Sequence, residues 1–286
     1  CDWSSDVCSS DLWRDLSQLT KTASQFGAGY LDKRAVVGKL SVISKLASSF
    51  NAMANRLEKM VKGQRDLTNA IAHDLRTPLS RLSFAFEMLE SGDVTEQEKK
   101  RYARSIASGI DTLDHLIQQI LTLSRYSRAA DITHFGHFQL AQLLGDEVSQ
   151  HQQENLGLVV EWGCDPTLTD KTLLIDQRAI VRATNNLINN ALRYAVHIVR
   201  VNLSVEGGNY IISVEDDGPG VPETDWERVF LPFKQLDNEQ REISKEHGLG
   251  LAIVQQIAEW HQGTTKLSES KLGGARFEIR WPCDDL

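Results

Sequence analysis

The sequence is poor in cysteine and has no long apolar run, and these absences exclude several classes of protein. Only four of the 286 residues are cysteine, namely Cys1, Cys8, Cys164 and Cys283. They have neither zinc-ligand spacing nor the pattern of a disulfide framework, which indicates a reducing compartment. No apolar stretch approaches the ~20 residues of a membrane span, and no secretory signal is visible. The net charge of -8 argues against nonspecific binding to nucleic acid or to an anionic membrane.

The first twelve residues differ in character from the rest. They follow no helical or strand period, and the first of them is not methionine. From Asp2 onward they resemble the translation of a common sequencing-adapter oligonucleotide. The hypothesis is that residues 1–12 are an artefact on a truncated reading frame, which the parent DNA upstream of Trp13 would test. On this expectation, the lack of a membrane segment here says nothing about the full-length protein.

Two helical segments are predicted after this stretch. Apolar residues recur every three or four positions from Trp13 to Phe26, and Gly27 to Gly29 then break the helix. After a connector of about a dozen residues, a second apolar stripe alternates three and four without a slip, as in paired helices. That stripe is Leu40, Ile43, Ala47, Phe50, Ala54, Leu57 and Val61. Residues 13–62 resemble a HAMP signalling module, and a plain dimerising coiled coil is the alternative.

The next helix presents a histidine to solvent. Ile71 and Leu75 share its apolar face. At ~100° per residue, His73 lies about 200° from each of them, on the opposite face. Asp74 is positioned to accept an imidazole proton, and Pro78 removes one backbone amide just beyond. An exposed imidazole beside an acid is a candidate nucleophile, although a plain surface histidine explains this stretch equally well.

The histidine helix and its successor form a predicted helical hairpin over residues 63–128. The first helix is expected to end near residues 91–93, and Thr95 with Glu98 is a capping box for the second. Each helix is apolar along one stripe. The hairpin cannot bury both stripes alone, but a homodimeric four-helix bundle can, with His73 on its outer face.

Residues 137–286, which follow a predicted linker over 129–136, read as a layered α/β sandwich. Helices are predicted at 140–152 and 176–194, and strands at 158–162, 173–175, 199–205 and 210–215. Gly248 is predicted to open a further helix. Gly273 and Gly274 precede a final strand that ends at Trp281.

Four asparagines lie within six residues of the predicted helix 176–194. They are Asn185, Asn186, Asn189 and Asn190. Each lowers helix stability by several tenths of a kcal/mol relative to alanine, so their density indicates a use for the amides. An amide oxygen is a hard ligand suited to Mg²⁺, and the amide also hydrogen-bonds phosphate or water. Arg193 and Tyr194 follow in the next turn, and a merely polar helix face remains the alternative.

A strand then ends in Asp216, Gly218 and Gly220. Glycines allow the backbone to approach a flat ligand closely. A buried carboxylate at this position would accept a hydrogen bond from an exocyclic amine and so distinguish adenine from guanine. Taken alone, the pattern also fits a common acidic turn.

Two further motifs lie near the C-terminal end of the chain. Phe230 and Phe233 flank a proline, and the polar residues 234–247 that follow are a candidate mobile lid. Glycines at 248 and 250 then begin a helix, whose free amides and dipole favour an anion. A single glycine pair is weak evidence for phosphate binding.

In chain order, these motifs resemble the H, N, G1, F and G2 boxes of bacterial sensor histidine kinases. The resemblance extends from Trp13 to the C-terminus and is strongest to the RstB-like branch. It implies an all-α signalling and dimerisation segment followed by a GHKL-type ATP-binding domain.

The resemblance also implies a homodimer that phosphorylates itself on His73 with ATP and Mg²⁺. The phosphoryl group would then pass to an aspartate of a response regulator, toward which the protein would also act as a phosphatase. The full-length protein would lie in the bacterial inner membrane through transmembrane helices outside this chain.

The resemblance also implies a role for each motif residue. His73 would attack the γ-phosphoryl group, Asp74 would accept or orient the imidazole proton, and Thr77 would align a water for dephosphorylation. Asn190 would bind Mg²⁺, and Asp216 would bind the adenine amine. The residues implied to contact the nucleotide are Asn186, Asn190, Arg193, Tyr194, Asp216, Gly218, Gly220, Phe233, Gly248, Leu249 and Gly250.

Two positions depart from the family pattern. Glu246 replaces a usual glycine, and Gln235 replaces a usual arginine. Both changes are expected to weaken nucleotide binding rather than abolish it. They are the only support for a catalytically silent dimeric scaffold. A DNA-repair or topoisomerase relative of the same ATPase superfamily is a second alternative, but it has no use for His73.

Overall fold

The computed structural model describes residues 3–36, 43–91, 94–126, 134–155, 157–234 and 248–283. The helices are α1 (Trp3–Gly27), α2 (Ser44–Glu90), α3 (Glu96–Tyr126), α4 (Leu140–Glu154), α5 (Gln177–Tyr194) and α6 (Gly250–Trp260). The strands are β1 (Gly136–Gln139), β2 (Val159–Cys164), β3 (Thr172–Ile175), β4 (Ile198–Glu206), β5 (Asn209–Asp216), β6 (Thr264–Glu269) and β7 (Ala275–Pro282). Among these residues we find no helix with the length and hydropathy needed to cross a bilayer. The chain divides into two compact units, Cys1–His73 and Asp74–Leu286.

In the first unit, a short connector is hydrogen-bonded to α2. Leu19, Ala35 and Ala47 form a small core, and Phe50 packs partly against it. The backbone N–H of Ala35 donates to Asn51 Oδ1, and Asn51 Nδ2 donates to the Ala35 carbonyl, both at 2.9 Å. The predicted order of helix, connector and helix is therefore present. Of the predicted seam, Leu40 lies outside the described residues, whereas Leu57 and Val61 are exposed in this single chain.

Helix α1 begins ten residues before the predicted start at Trp13. The apolar residues of this early stretch follow no period, but a helix needs an apolar stripe only where it packs. Once nucleated, a helix extends at little further cost. The apolar pattern therefore indicates where α1 can pack and not where it starts.

Helix α2 continues from the connector through His73 to Glu90. Pro78 lies inside it, so its missing amide does not end the helix. The predicted capping box of α3 is confirmed, because the Thr95 N–H donates to Glu98 Oε2 at 2.8 Å and the Glu98 N–H to Thr95 Oγ1 at 3.3 Å. Gly92 and Asp93 lie outside the described residues.

The α2–α3 hairpin packs through small and aromatic residues. A Cβ added to Gly109 would lie 2.9 Å from the Leu82 side chain, so the helices approach closely there. Phe84 and Tyr102 pack edge to face with ring centroids 6.4 Å apart. Several large apolar residues of the hairpin nevertheless remain exposed, namely Leu79, Phe84, Phe86, Ile110, Ile117 and Leu121.

The predicted α/β sandwich is confirmed. Its main sheet has the strand order β2-β4-β5-β7-β6, in which only β2 and β4 run parallel, and β1 pairs with β3 in a second small sheet. Helices α4, α5 and α6 pack on the main sheet and on one another. The fully buried side chains between these layers include Ile180, Leu187, Ile188, Val201, Leu203, Ile212 and Ile279.

Three local predictions need correction. Strand β1 includes Gly136, which was assigned to the linker, and β6 was not predicted at all. Strand β1 alternates in burial but has only four residues, and β6 has a single buried residue, Leu267, so neither sequence is long or apolar enough to predict a strand. Helix α6 starts at Gly250 rather than at Gly248, because Gly248 has φ +67° and such a backbone cannot continue a right-handed helix. Linker residues 127–133 lie outside the described part.

Candidate nucleotide-binding and phosphoacceptor site

Helix α5 carries the asparagines on a well-anchored scaffold. Asp176 caps it by accepting from the Ala179 N–H at 3.1 Å. Ile180, Thr184, Leu187 and Ala191 lie along one stripe of the helix, and all four are fully buried. This burial turns the asparagine face away from the core, with Asn186 and Asn190 half-buried and Asn189 exposed.

The asparagines do not share one role. Asn185 Nδ2 donates to Glu147 Oε2 at 2.6 Å, and Asn185 Oδ1 lies 3.0 Å from His151 Nε2, so this residue joins α5 to α4. Asn186 Nδ2 donates to the Gly250 carbonyl at 3.2 Å, which brings the N-box helix to the start of α6. Asn185 therefore helps to pack α5 against α4, whereas Asn186 lies at the candidate site beside the start of α6.

Asp216 is a buried carboxylate at the end of β5. Its side-chain Oδ1 accepts from the backbone N–H of Gly218 at 2.9 Å and of Ala275 at 3.2 Å. Burial raises the pKa of Asp216, and the charge of Asp217 adds to this effect, whereas the two backbone hydrogen bonds oppose it. Both bonds end on Oδ1, so Oδ2 is the oxygen that could accept from a ligand amine.

Glycines enclose this carboxylate where no side chain would fit. A Cβ on Gly218 would lie 2.4 Å from the Tyr194 carbonyl oxygen, and one on Gly274 would lie 2.2 Å from Asp216 Oδ1. Gly220 has φ +70° and faces Gly274, with 3.5 Å between its added Cβ and the Gly274 oxygen. Gly218 and Gly274 therefore lie directly against the Asp216 carboxylate, and Gly220 lies behind Gly274. Of these three glycines, Gly274 is not part of the Asp216, Gly218 and Gly220 motif in the sequence.

Hydrogen bonds among the turn between β6 and β7 and strands β5 and β7 hold Gly274 in place. Ser270 Oγ donates to Glu215 Oε2 at 3.1 Å, and Arg276 Nη1 donates to Glu215 Oε1 at 3.1 Å. The Ser270 N–H donates to the Gly274 carbonyl at 2.9 Å, and the Gly274 N–H to the Asp216 carbonyl at 3.2 Å. In the sequence, the Gly273-Gly274 pair indicates a turn before the final strand, but it gives no sign that this turn contacts Asp216.

The F and G2 motifs meet at a strained backbone. Phe233 has φ +60°, which is uncommon for a residue with a side chain, and its N–H donates to the Gly248 carbonyl at 2.9 Å. Phe230 packs edge to face on Phe277 at 6.2 Å. Leu249 is fully buried, so it could reach a phosphate only through its backbone. Gln235, Glu246 and the rest of the predicted lid after Lys234 lie outside the described residues.

The remaining predicted residues divide between two places. Arg193 and Tyr194 are half-buried at the end of α5. On α2, His73 and Thr77 are exposed as helix geometry predicts, and Asp74 is half-buried. In the described ranges, no group of three or more His, Cys, Asp or Glu could hold a metal ion.

Comparison with known proteins assigns the chain to a family. Residues 63–128 match the model of the His Kinase A (phospho-acceptor) domain, and residues 175–285 match that of the histidine kinase-, DNA gyrase B- and HSP90-like ATPase. The sensor protein RstB of Escherichia coli K12 is 34% identical over 276 residues, which cover 94% of this chain and 60% of RstB. The chain belongs to the sensor histidine kinase family.

Solved histidine kinases share the fold. Acinetobacter baumannii AdeS superposes with a TM-score of 0.58 at 25% identity, over 74% of this chain and 98% of AdeS. ThkA in complex with the response regulator TrrA gives a TM-score of 0.61 at 18% identity, over 79% of this chain and 64% of that one. The chain spans about 60% of the length of RstB, a curated relative.

Proposed function

We propose that this chain is the catalytic part of a sensor histidine kinase that uses ATP to phosphorylate its own His73. The observation that carries the proposal is Asp216, buried at a strand end and enclosed by backbone that only glycine permits. Such a carboxylate is suited to accept from the exocyclic amine of adenine, which guanine lacks at the equivalent position. Gly218 and Gly220 would line the base, and Tyr194 lies against Gly218.

The phosphates would lie between α5 and the start of α6. Asn186 bonds to Gly250, so the asparagine face and the free amides of the α6 N-terminus are neighbours. Gly248, the Leu249 backbone and Gly250 would contact the phosphates. Arg193, Tyr194 and Phe233 would line the sides of the nucleotide pocket. Asn190 would hold Mg²⁺, which neutralises phosphate charge when bound.

The chemistry would be positioning combined with charge stabilisation. An imidazole nitrogen of His73 would form a bond to the γ-phosphorus while the bond to the ADP oxygen breaks. The proton displaced from the imidazole would pass to Asp74 or be oriented by it. The phosphoryl group would then move from His73 to an aspartate carboxylate of a response regulator. Thr77 would align a water for the reverse regulatory step, hydrolysis of that acyl phosphate.

The partners follow from the surfaces that the chain leaves exposed. A second copy would cover the apolar residues of the α2–α3 hairpin in a four-helix bundle. A response regulator receiver domain is the expected phosphoryl acceptor, and the solved relative ThkA is bound to such a protein. Residues 13–62 would act as a HAMP module that transmits a signal to α2. In the full-length sensor, these domains would lie on the cytoplasmic side of the bacterial inner membrane.

Autophosphorylation with γ-labelled ATP and Mg²⁺ tests the proposal. The parent chain is expected to acquire acid-labile, alkali-stable label, and His73→Gln and Asn190→Ala are expected to remain unlabelled. His115→Gln is the matched control for His73→Gln, because His115 is an exposed histidine on the other helix of the hairpin. Asn189→Ala is the matched control for Asn190→Ala, because Asn189 is an exposed asparagine on the same helix. Nucleotide binding without label in the parent would support a silent or phosphatase-biased protein instead. Label that persists in His73→Gln would exclude His73 as the acceptor.

A further inference from the structure

Asp217, the residue after the buried Asp216, accepts hydrogen bonds from the backbone amides of three successive residues. Its Oδ1 accepts from the N–H of Val196 at 2.8 Å, of His197 at 3.0 Å and of Ile198 at 3.2 Å. The His197 N–H also lies 3.0 Å from Oδ2, and the His197 ring Nδ1 lies 3.2 Å from the same oxygen. The Asp217 side chain is only 13% exposed, although the His197 side chain is 81% exposed.

These bonds lie where the β4–β5 ladder ends. Val199 and Asp216 are the last paired residues of the two strands at this end. Asp217 is the next residue along, and its side chain continues the cross-connection that backbone groups no longer make. The segment it holds, residues 196–198, links the end of α5 to the start of β4.

This segment sets the position of α5 relative to the adenine carboxylate. Helix α5 ends at Tyr194, and the carbonyl of Tyr194 lies 2.4 Å from where a Gly218 Cβ would be. Asn190 is one turn earlier on the same helix. A shift of the segment would therefore move Asn190 and Tyr194 relative to Asp216 and Gly218.

The carboxylate is well suited to be a permanent acceptor. Burial alone would raise the pKa of Asp217, but the hydrogen bonds from the His197, Val196 and Ile198 amides together lower it to about 2. It therefore remains ionised at neutral pH and can accept from the three amides continuously.

We propose that Asp217 is a positioning residue of the nucleotide site. It does not touch ATP but sets the spacing between the Asn190 helix and the Asp216 pocket, and so determines nucleotide affinity. This inference rests on the proposed function, since it assumes that the pocket binds ATP.

Calorimetric titration of the full chain with ADP and Mg²⁺ tests it. Asp217→Ala is expected to weaken binding at least about tenfold, because small displacements of site groups are costly. Asp217→Asn retains an oxygen acceptor for the amides and is expected to stay within about threefold of the parent. The KM for ATP in autophosphorylation should rise in Asp217→Ala by a comparable factor and stay near that of the parent in Asp217→Asn.

Asp165→Ala is the matched control. Asp165 also caps backbone, accepting from the Thr167 N–H at 2.9 Å, but it lies at the far end of β2. Urea unfolding followed by circular dichroism measures the stability of all three variants. Parent-like affinity in a destabilised Asp217→Ala, or an equal loss in Asp165→Ala, would mean that Asp217 is purely structural and would overturn the inference. A parent chain that fails to bind ADP would overturn the proposed nucleotide pocket as well.

Discussion

The ATPase domain and the helical hairpin bury their apolar residues in opposite ways. In the ATPase domain, Leu187, Ile212 and Phe277 are at most 2% exposed, and neighbouring strands and helices of the same chain cover them. In the hairpin, Phe84 and Phe86 are 59% and 57% exposed. Burying a side chain of this size contributes about 1.5–3 kcal/mol. The ATPase domain therefore buries its core within one chain, whereas the exposed apolar residues of the hairpin are the ones that the proposed second copy would cover.

The comparison predicts that nucleotide binding by the ATPase domain and self-association of the hairpin can be disrupted independently of each other. The largest effect is expected from Gly274→Ala, because the added Cβ would lie 2.2 Å from Asp216 Oδ1 and 2.5 Å from the Gly218 nitrogen. We expect ADP affinity to fall more than about a hundredfold, since both the carboxylate and its glycine cradle must move. Calorimetric titration measures the affinity, and analytical ultracentrifugation should show an unchanged oligomeric state.

Gly157→Ala is the control for this variant. An added Cβ there has no heavy atom within 4 Å, so binding should match that of the parent. If Gly274→Ala binds ADP normally, the pocket around Asp216 is not the nucleotide site.

The converse variant is Phe86→Glu in the hairpin. A charge on this exposed aromatic should oppose its burial in a dimer and weaken self-association by about tenfold to a hundredfold. Sedimentation equilibrium measures the dissociation constant, and Glu87→Gln, an exposed neighbour, serves as the control. ADP affinity should remain that of the parent. A Phe86→Glu protein as dimeric as the parent would contradict a bundle sealed by this face.

The same contrast explains which features could be predicted from sequence. Helix α5 was found because its buried stripe has a clear helical period, and Asp216 was found because two glycines follow within four residues. These signals are local. Gly274 and Asp217 gain their roles from contacts with Asp216 and with residues 196–198, which only the folded chain brings near. Strand β6 was missed because an edge strand with one buried residue has no visible alternation.

The smallest predicted effect is a pH dependence confined to the ATPase domain. His261 is buried, its Nδ1 bonds to the Ile257 carbonyl at 2.8 Å, and its Nε2 accepts from the Asp176 N–H at 3.1 Å. Burial lowers the pKa of His261 below 6.5, although the Ile257 carbonyl and the Asp176 charge oppose the shift. The unfolded chain therefore binds this proton more readily than the folded one, and protonation would remove the acceptor for the Asp176 amide.

Stability should fall as the pH drops below about 6.5, with a slope of up to about 1.4 kcal/mol per pH unit. Urea unfolding between pH 5 and pH 8 measures this slope. His261→Gln should be less stable at pH 8 and should lose this contribution to the slope. An identical pH profile in His261→Gln would assign the acid sensitivity to other groups, and the contact between α6 and the start of α5 would then be insensitive to pH.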